Sequence, residues 1–415
     1  MKVFKFGGAS LKDARGVKNV SQIIRSAGSN NLLIVVSAMG KTTDLLEKVH
    51  ALFFSNQPYD QPLKQLQQIH LDALKELFPS DHQVFKEVED YIHDLPNRLS
   101  RDAPFDQVYD QVVSLGEFLS SLIVYHFLKL QETPTYWLDA RTCIATDQNF
   151  REGRVDWTKT ATQVQSICLP ILSQQVIVTQ GFVGQTPHGL TTTLGREGSD
   201  FSAAIFASTL QAESVTIWKD VPGVMNADPK RLPAAIVFEE LPFKEAAEMT
   251  YYGANVIHPK TIKPLANKGI PLLVKNFVDP SLPGTRIHEC QVDKLPPLIV
   301  FKENQCLISC KVTDYSFINE QQINMIFTIL TELDIRINVM QNSAISFSFC
   351  IDFREHKAKA LIQRLQQYFE VYYNTGLTLI TVKNYNEETF EQYRKKQGIL
   401  LEQLSRSTLQ VLLKV

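Results

Sequence analysis

Five consecutive aliphatic residues, Leu32–Val36 (LLIVV), constrain the fold more than any other stretch of the chain. A strand that is apolar at every position has both faces buried, as in a parallel sheet covered by helices. Lys2–Phe6 reads as an opening strand, Gly7-Gly8-Ala9-Ser10 as a turn, and a helix begins near Asp13. Strand, helix, strand implies a parallel pair and an α/β protein. The glycine turn leaves backbone amides and the Lys5 ammonium near one point, which suits a phosphate.

After Val36 comes Ser37-Ala38-Met39-Gly40-Lys41-Thr42-Thr43. Its Gly-Lys-Thr is not a P-loop, because the glycine required five residues earlier is replaced by Val35 inside the strand. The Ser37 and Thr43 hydroxyls are instead candidate ligand contacts at the carboxyl edge of the sheet. No glycine occurs from Lys41 to Leu115, and Leu63–Phe78 and Asp81–Leu95 have helical periodicity, so residues 41–130 read as a largely helical insertion or lid. Glu117 opens an apolar helix, Phe118–Leu128. A glutamate there ordinarily serves the helix dipole. It becomes a candidate for binding an ammonium if that helix end faces the site.

Strands are expected at Pro134–Leu138 and Gln175–Thr179, and a turn at Gln180–Gly184 leads into Thr191–Ala204 (TTTLGREGSDFSAA). Gly195 and Gly198 permit tight turns, and Ser199 or Asp200 is the expected N-cap of the following helix. A zwitterionic ligand needs a guanidinium for its carboxylate and a carboxylate for its ammonium, and Arg196 and Asp200 supply both. The plainer alternative is a capped helix with a local Arg–Asp pair. Ser214–Trp218 is the next strand, and the loops Lys219–Gly223 and Asn226–Lys230 make a candidate nucleotide shelf. Helix Glu245–Tyr252 ends at Gly253, His258 reads as a structural cap, and Pro271–Lys275 as a strand.

Composition narrows the functional class. In 415 residues, 42 Lys and Arg stand against 44 Asp and Glu, so no polyanion-binding face is announced and nucleic acid is not an expected partner. Leu32–Val36 and Leu122–Val124 are far shorter than the roughly 20 residues of a spanning helix. With no signal peptide legible in MKVFKFGG, a cytoplasmic protein is expected and no membrane partner. Six cysteines without a C-x-x-C pair read as buried thiols, and no metal site is expected from the protein's own ligands.

Residues 286–297 read as a linker. A second domain, 298–415, shows strands Leu298–Phe301 and Cys306–Val312, helix Glu320–Leu333, strands Ile335–Gln341 and Ile345–Ile351, helix Lys357–Tyr368 and strand Leu377–Val382. That order makes a ferredoxin-like α+β unit. Helix Glu387–Lys396 and strands Ile399–Leu404 and Leu409–Val415 make most of a second one, with its final helix lacking.

With these motifs in place the chain resembles the aspartokinases, whose amino-acid kinase fold is followed by ACT-type units. The resemblance rests on Lys5–Ser10, Val113–Glu117, Thr191–Ala204, Asp220–Gly223 with Ala227–Pro229, and Gly253–Pro259. It implies a catalytic domain at 1–285 with a mostly parallel sheet, and a tandem ACT-type regulatory region at 298–415. The implied reaction is ATP-dependent phosphorylation of the β-carboxylate of L-aspartate to 4-phospho-L-aspartate, the first step toward lysine, threonine and methionine. Alternatives are a kinase of the same fold acting on another acidic amino acid, or an amino-acid sensor without turnover.

Residue by residue, the resemblance implies catalytic roles for Lys5 and Asp200, and aspartate contacts from Ser37, Thr43, Glu117, Arg196, Glu197, Gly198, Ser199 and Asp200. ATP contacts are implied for Lys5, Gly7, Gly8, Ala9, Ser10, Lys219, Asp220, Met225, Lys230 and Asn255, with Mg2+ held mainly by the phosphates. Lys219, Met225 and Asn255 depart from the family pattern, which has threonine, tyrosine and lysine there. A threonine or lysine effector is implied at Met340, Gln341 and Ser343, although Ala344 stands where lysine-sensitive relatives offer a glutamate. Homodimers or larger homo-oligomers through the ACT region are also implied.

Overall fold

In the computed structural model, which describes residues 1–254, 257–292, 294–314 and 316–414, the chain divides into two compact units. The first comprises Met1–Val224, Val237–Ala247 and Asn255–Val292, and the second Met225–Ile236, Glu248–Ala254 and Asp293–Val415.

The first unit is built on ten strands: β1 (Lys2–Phe6), β2 (Leu32–Val36), β3 (Thr135–Leu138), β4 (Val176–Gln180), β5 (Val183–Gln185), β6 (Thr191–Thr193), β7 (Ser214–Lys219), β8 (Glu240–Pro242), β9 (Leu272–Asn276) and β10 (Thr285–His288). Eight of them form one sheet in the order β3-β4-β2-β1-β7-β9-β10-β8, and β5 pairs with β6 as a separate two-stranded ribbon. Pairing is parallel throughout the large sheet except between β9 and β10. The aliphatic run that defines β2 therefore sits between β4 and β1 with every residue buried.

Alternation along β1 sends Phe4 and Phe6 to one face and Lys5 to the other. Phe6 stacks on Trp218, centroids 6.1 Å apart, and meets Phe277 edge-on. These rings belong to the core beneath the helices of the insertion. Helix Gly198–Leu210 is buried along nearly its whole length and packs on β1, β2 and β7, with helices Trp157–Leu172 and Pro259–Ala266 outside it. His258 is the N-cap of Pro259–Ala266, its ring nitrogen accepting from the Lys260 amide at 3.2 Å.

The insertion is helical as expected, with Asp60–Leu77, Val84–His93, Phe105–Val113 and Leu115–Leu130. The nearly continuous stretch Phe105–Leu130 has the length and mean hydropathy, 1.3, of a membrane span, yet 89% of its apolar window is buried inside the protein. Its hydrophobicity is that of a core helix.

The second unit holds β11 (Leu298–Lys311), β12 (Ile337–Asn342), β13 (Ser346–Asp352), β14 (Glu370–Lys383), β15 (Ile399–Leu404) and β16 (Thr408–Lys414) in one antiparallel sheet, ordered β12-β13-β11-β14-β16-β15. The two strands expected at 298–301 and 306–312 are one strand. Glu303 and Asn304 interrupt the apolar pattern, but Asn304 adopts φ 54° at a register shift and the strand continues past it. Helices Glu320–Glu332 and Glu355–Leu365 cover a core of Cys306, Ile308, Phe349 and Leu361. Helix Glu387–Arg394 lies over the other half, around Ile380, Val382 and Val411. Ala227, Leu232 and Ala235 join that second cluster, so the segment Met225–Ile236 buries apolar surface against this half of the sheet.

Candidate active site

The carboxyl ends of β2, β1 and β7 lie side by side, so the loops that leave them start from one edge of the sheet. The loops after β1 and β2 are tied together: the Gly40 amide donates to the Gly8 carbonyl at 3.1 Å, and the Ser37 amide to the Phe6 carbonyl at 3.1 Å. A Cβ at Gly8 would stand 2.7 Å from the Ala38 oxygen, so only glycine allows that approach.

Asp200, 2% exposed, is the centre of the site. Its Oδ1 lies 2.6 Å from Lys5 Nζ and its Oδ2 3.4 Å from Lys219 Nζ. Burial alone would raise the Asp200 carboxyl, but Lys5 and then Lys219 outweigh it and hold the group below its ordinary value. The ordinary strand alternation places Lys5 there, 8% exposed, and β7 ends on Lys219.

Glu117 enters from the first turn of Leu115–Leu130, as anticipated, and is 3% exposed. Gly116 makes this possible, because a Cβ there would meet Ala38 Cβ at 2.7 Å and Thr42 Cγ2 at 2.9 Å. Oε1 accepts from the Ala38 amide at 3.3 Å, while Oε2 is buried with no hydrogen-bond partner among the described residues. Burial pushes the Glu117 carboxyl up to about 8, only partly offset by the Ala38 amide and by the charge of Lys5. Both oxygens of this carboxyl are thus buried, and only one is satisfied by the fold itself. The neighbouring Ser37 carbonyl accepts from Ser120 Oγ at 2.7 Å, and Thr43 is half-buried in the helix Thr42–Phe54.

The turn between β6 and the central helix departs from expectation. Neither Ser199 nor Asp200 is the N-cap; the helix starts at Gly198, and Glu197 caps it in a left-handed conformation, φ 54°, without a side-chain cap bond. Ser199 and Asp200 therefore lie within the first turn, where Asp200 faces Lys5 instead of its own amides. Arg196 is exposed on the turn, and Glu197 Oε2 is buried.

Among the expected nucleotide contacts, Gly7 stands beside Lys5, whose ammonium would be 3.4 Å from a Cβ added there. Ser10 is buried and Ala9 exposed. Asp220 is exposed just beyond β7. Met225 and Lys230 belong to the second unit, and Asn255 lies outside the described residues. Met340, Gln341 and Ser343 are exposed along and just after β12, an edge strand of the second sheet.

Two residues absent from the sequence reading fix the ribbon that precedes the turn. Asp110 accepts from the Thr193 amide at 2.8 Å and hydroxyl at 2.7 Å, and from the Arg151 amide at 2.9 Å. Gln111 grips both backbone groups of Thr191, donating to its carbonyl at 2.7 Å and accepting from its amide at 3.3 Å. Asp110 is fully buried, and that burial raises its carboxyl to about 6 against the opposing hydrogen bonds. The available signal was an acid falling on the buried face of Phe105–Val113.

Residues 1–276 match the model of the amino acid kinase family. Lysine-sensitive aspartokinase 3 of Escherichia coli K12 is 31% identical over 360 residues, covering 84% of this chain and 78% of the relative. The chain belongs to the amino acid kinase family, among its aspartokinases. The chloroplastic bifunctional aspartokinase/homoserine dehydrogenase 1 of Arabidopsis thaliana is 30% identical over 390 residues, but the match spans only 42% of that longer protein. The crystal structure of E. coli aspartokinase III with aspartate and ADP, in the R-state, superposes with a TM-score of 0.84 at 27% identity, covering 100% of this chain and 96% of that one. The T-state of the same enzyme, with lysine and aspartate, gives 0.83 at 27% identity and the same coverage. Aspartokinases as relatives favour aspartate over the other acidic amino acids weighed from the sequence, and an enzyme over a sensor without turnover.

Proposed function

We propose that this aspartokinase moves the γ-phosphoryl group of ATP to the β-carboxylate of L-aspartate at the carboxyl edge of β1, β2 and β7. The observation that carries this reading is the Lys5–Asp200–Lys219 cluster, with Lys5 and Asp200 buried, together with a Glu117 oxygen that has no hydrogen-bond partner among the described residues. Two ammonium groups organised by one carboxylate are a preformed clamp for a transferring phosphoryl group. The open Glu117 oxygen suits the substrate ammonium, and Arg196, at the mouth, its α-carboxylate.

The acceptor carboxylate, with a reference pKa near 3.9, is already ionised at neutral pH, so the attack needs no general base. Its oxygen bonds to the γ-phosphorus as the bridging P–O bond breaks, and ADP leaves with that electron pair. Lys5 and Lys219 neutralise charge on the group in flight while Asp200 holds both in place. Gly7 and Gly8 offer amides from a loop that tolerates no side chain at Gly8. Asp200 is committed to two cations, and no group of three metal-ligating side chains occurs among the described residues. This donor set suits phosphates: Lys5, Lys219 and the Gly7 and Gly8 amides would hold the nucleotide's phosphate groups, and a magnesium ion carried on those phosphates would supply further charge neutralisation.

Residues 1–285 act as the catalytic domain in this reading, and 298–415 as a regulatory region that joins copies of the chain. Its effector is lysine, or threonine, at the exposed turn Met340–Ala344. A cytoplasmic location fits a protein acting on ATP and a free amino acid. The test is ADP release by the purified chain with aspartate, glutamate or N-acetylglutamate, with hydroxylamine trapping of the acyl phosphate. Aspartate-dependent release with a trapped hydroxamate is expected, and equal turnover on glutamate would overturn the assignment.

A further inference from the structure

A cavity of about 430 Å³ opens on the first unit between helices Trp157–Leu172, Gly198–Leu210 and Pro259–Ala266. No step of the proposed reaction uses it. Trp157, 41% exposed, forms part of its wall, and its ring meets Phe201 at 6.2 Å between centroids and 68° between planes. Lys260 and Lys263 are three residues apart on one face of their helix, and Lys268 follows beyond its end. All three are exposed, and none of their ammonium groups has an ion-pair or hydrogen-bond partner among the described residues. Among the described residues, no carboxylate lines the cavity.

Three cations gathered round an aromatic wall repel one another and favour an anion placed among them. Glu152, whose Cγ would stand 3.3 Å from the same added Gly195 Cβ that Lys260 approaches, puts a carboxyl side chain near Lys260 and leaves Lys263 and Lys268 to the anion. The ring pair supplies a stacking surface, and the volume is that of a small-molecule site. We infer that this cavity binds a small aromatic anion, a planar ring bearing a phosphate or a carboxylate. The ring lies against Trp157 and Phe201 and the acidic group meets Lys263 and Lys268.

The site is coupled to the catalytic loop at two points. Phe201 directly follows Asp200 on the central helix, one side chain facing the cavity and the other Lys5. At the turn, Lys260 Nζ would stand 3.5 Å from a Cβ on Gly195, so the ammonium abuts the backbone that presents Arg196. An occupant that draws on Lys260 changes what that turn touches, and any effect on aspartate affinity is matched by an equal effect of aspartate on the occupant.

The test titrates the full chain with phenyl phosphate and, separately, phenylacetate, by calorimetry and by tryptophan fluorescence, with ADP and aspartate saturating so that the catalytic site is filled. Saturable binding of at least one of them with a dissociation constant below about 1 mM is expected. Inorganic phosphate and benzyl alcohol, each carrying half of the chemistry, should bind at least about tenfold more weakly. The arm that binds more tightly distinguishes a phosphate from a carboxylate ligand. Lys263→Gln/Lys268→Gln, on exposed positions, should weaken binding at least about tenfold at an unchanged melting temperature. The inference is overturned if neither aromatic anion saturates by about 10 mM, if inorganic phosphate binds as well as phenyl phosphate, or if the double variant binds as tightly as the parent.

Discussion

Lys219 Nζ lies 3.4 Å from Asp200 Oδ2, leaving the other oxygen of that carboxylate to Lys5. The two cations thus share one counter-ion, and each should matter most when charge builds on the phosphoryl group. Lys5→Ala is expected to lower kcat by roughly 10²-fold with little change in the KM for aspartate. Lys219→Ala should lower kcat and raise the KM for ATP. Steady-state kinetics with each substrate varied in turn reads both, and an unchanged kcat in Lys5→Ala would remove that residue from the mechanism.

Asp200→Asn keeps the shape and removes the charge that gathers the lysines. Turnover should fall at least as far as in Lys5→Ala, and adding Lys5→Ala to it should cost far less than the product of the single losses, because both changes dismantle one unit. A multiplicative double variant would mean that the lysines act independently of Asp200.

If Glu117 meets the substrate ammonium as proposed, stability and substrate binding are expected to depend on pH in opposite senses. Its carboxyl is held up to about 8 in the folded protein against 4.5 ordinarily, so between those values the unfolded chain binds fewer protons and stability falls as pH rises. Glu117→Gln should flatten that slope, with a gain on the order of 1–3 kcal/mol at pH 8. The substrate ammonium needs the ionised form, so the KM for aspartate should fall as pH rises toward 8, by up to about tenfold per unit. Denaturant melts and aspartate titrations across this range check both, and a KM indifferent to pH would take Glu117 out of substrate binding.

The sequence made the strand ends legible, and with them Lys5, because a lysine between two phenylalanines in an otherwise apolar strand has only one face available. Glu117 was legible for a similar reason, standing at the start of an apolar helix. Asp200's allegiance was not. Their closeness across the turn set it with Arg196 as one half of a zwitterion site, whereas its ion-pair partners come from β1 and β7, brought together by sheet order. The capping expectation for Ser199 and Asp200 failed because Glu197 adopts a left-handed backbone that its residue type does not announce. Asn304 hid a continuous β11 by breaking the apolar alternation at a bulge.

Asp110 is expected to be structural, with an effect on the substrate side through Thr193. Asp110→Ala leaves the buried Thr193 amide without its acceptor and should cost about 1–3 kcal/mol. Gln111→Ala should act more gently, raising the KM for aspartate by loosening Thr191. Denaturant midpoints and kinetics separate the two, and an unchanged midpoint in Asp110→Ala would show that the ribbon is held elsewhere.

Lysine is expected to inhibit at subsaturating aspartate, but weakly, because the Met340–Ala344 turn places alanine at the position that would pair with a cation. Ala344→Glu should strengthen lysine inhibition by up to about tenfold if that turn is the effector site. Activity and melting temperature with lysine or threonine added check this, and a null result for both in parent and variant would leave 298–415 without an amino-acid effector.

Asp110 and Gln111 sit in the helical insertion, yet they occupy the open edge of a ribbon whose continuation is the turn that leads into helix Gly198–Leu210. An insertion is ordinarily the portion of an enzyme freest to diverge or to be exchanged. Here, replacing residues 41–130 with those of a cousin would sever the loop from its mooring unless both side chains, or a matching Thr191–Thr193, travelled with the transplant. Two segments remote in the chain are thereby obliged to evolve as one heritable block.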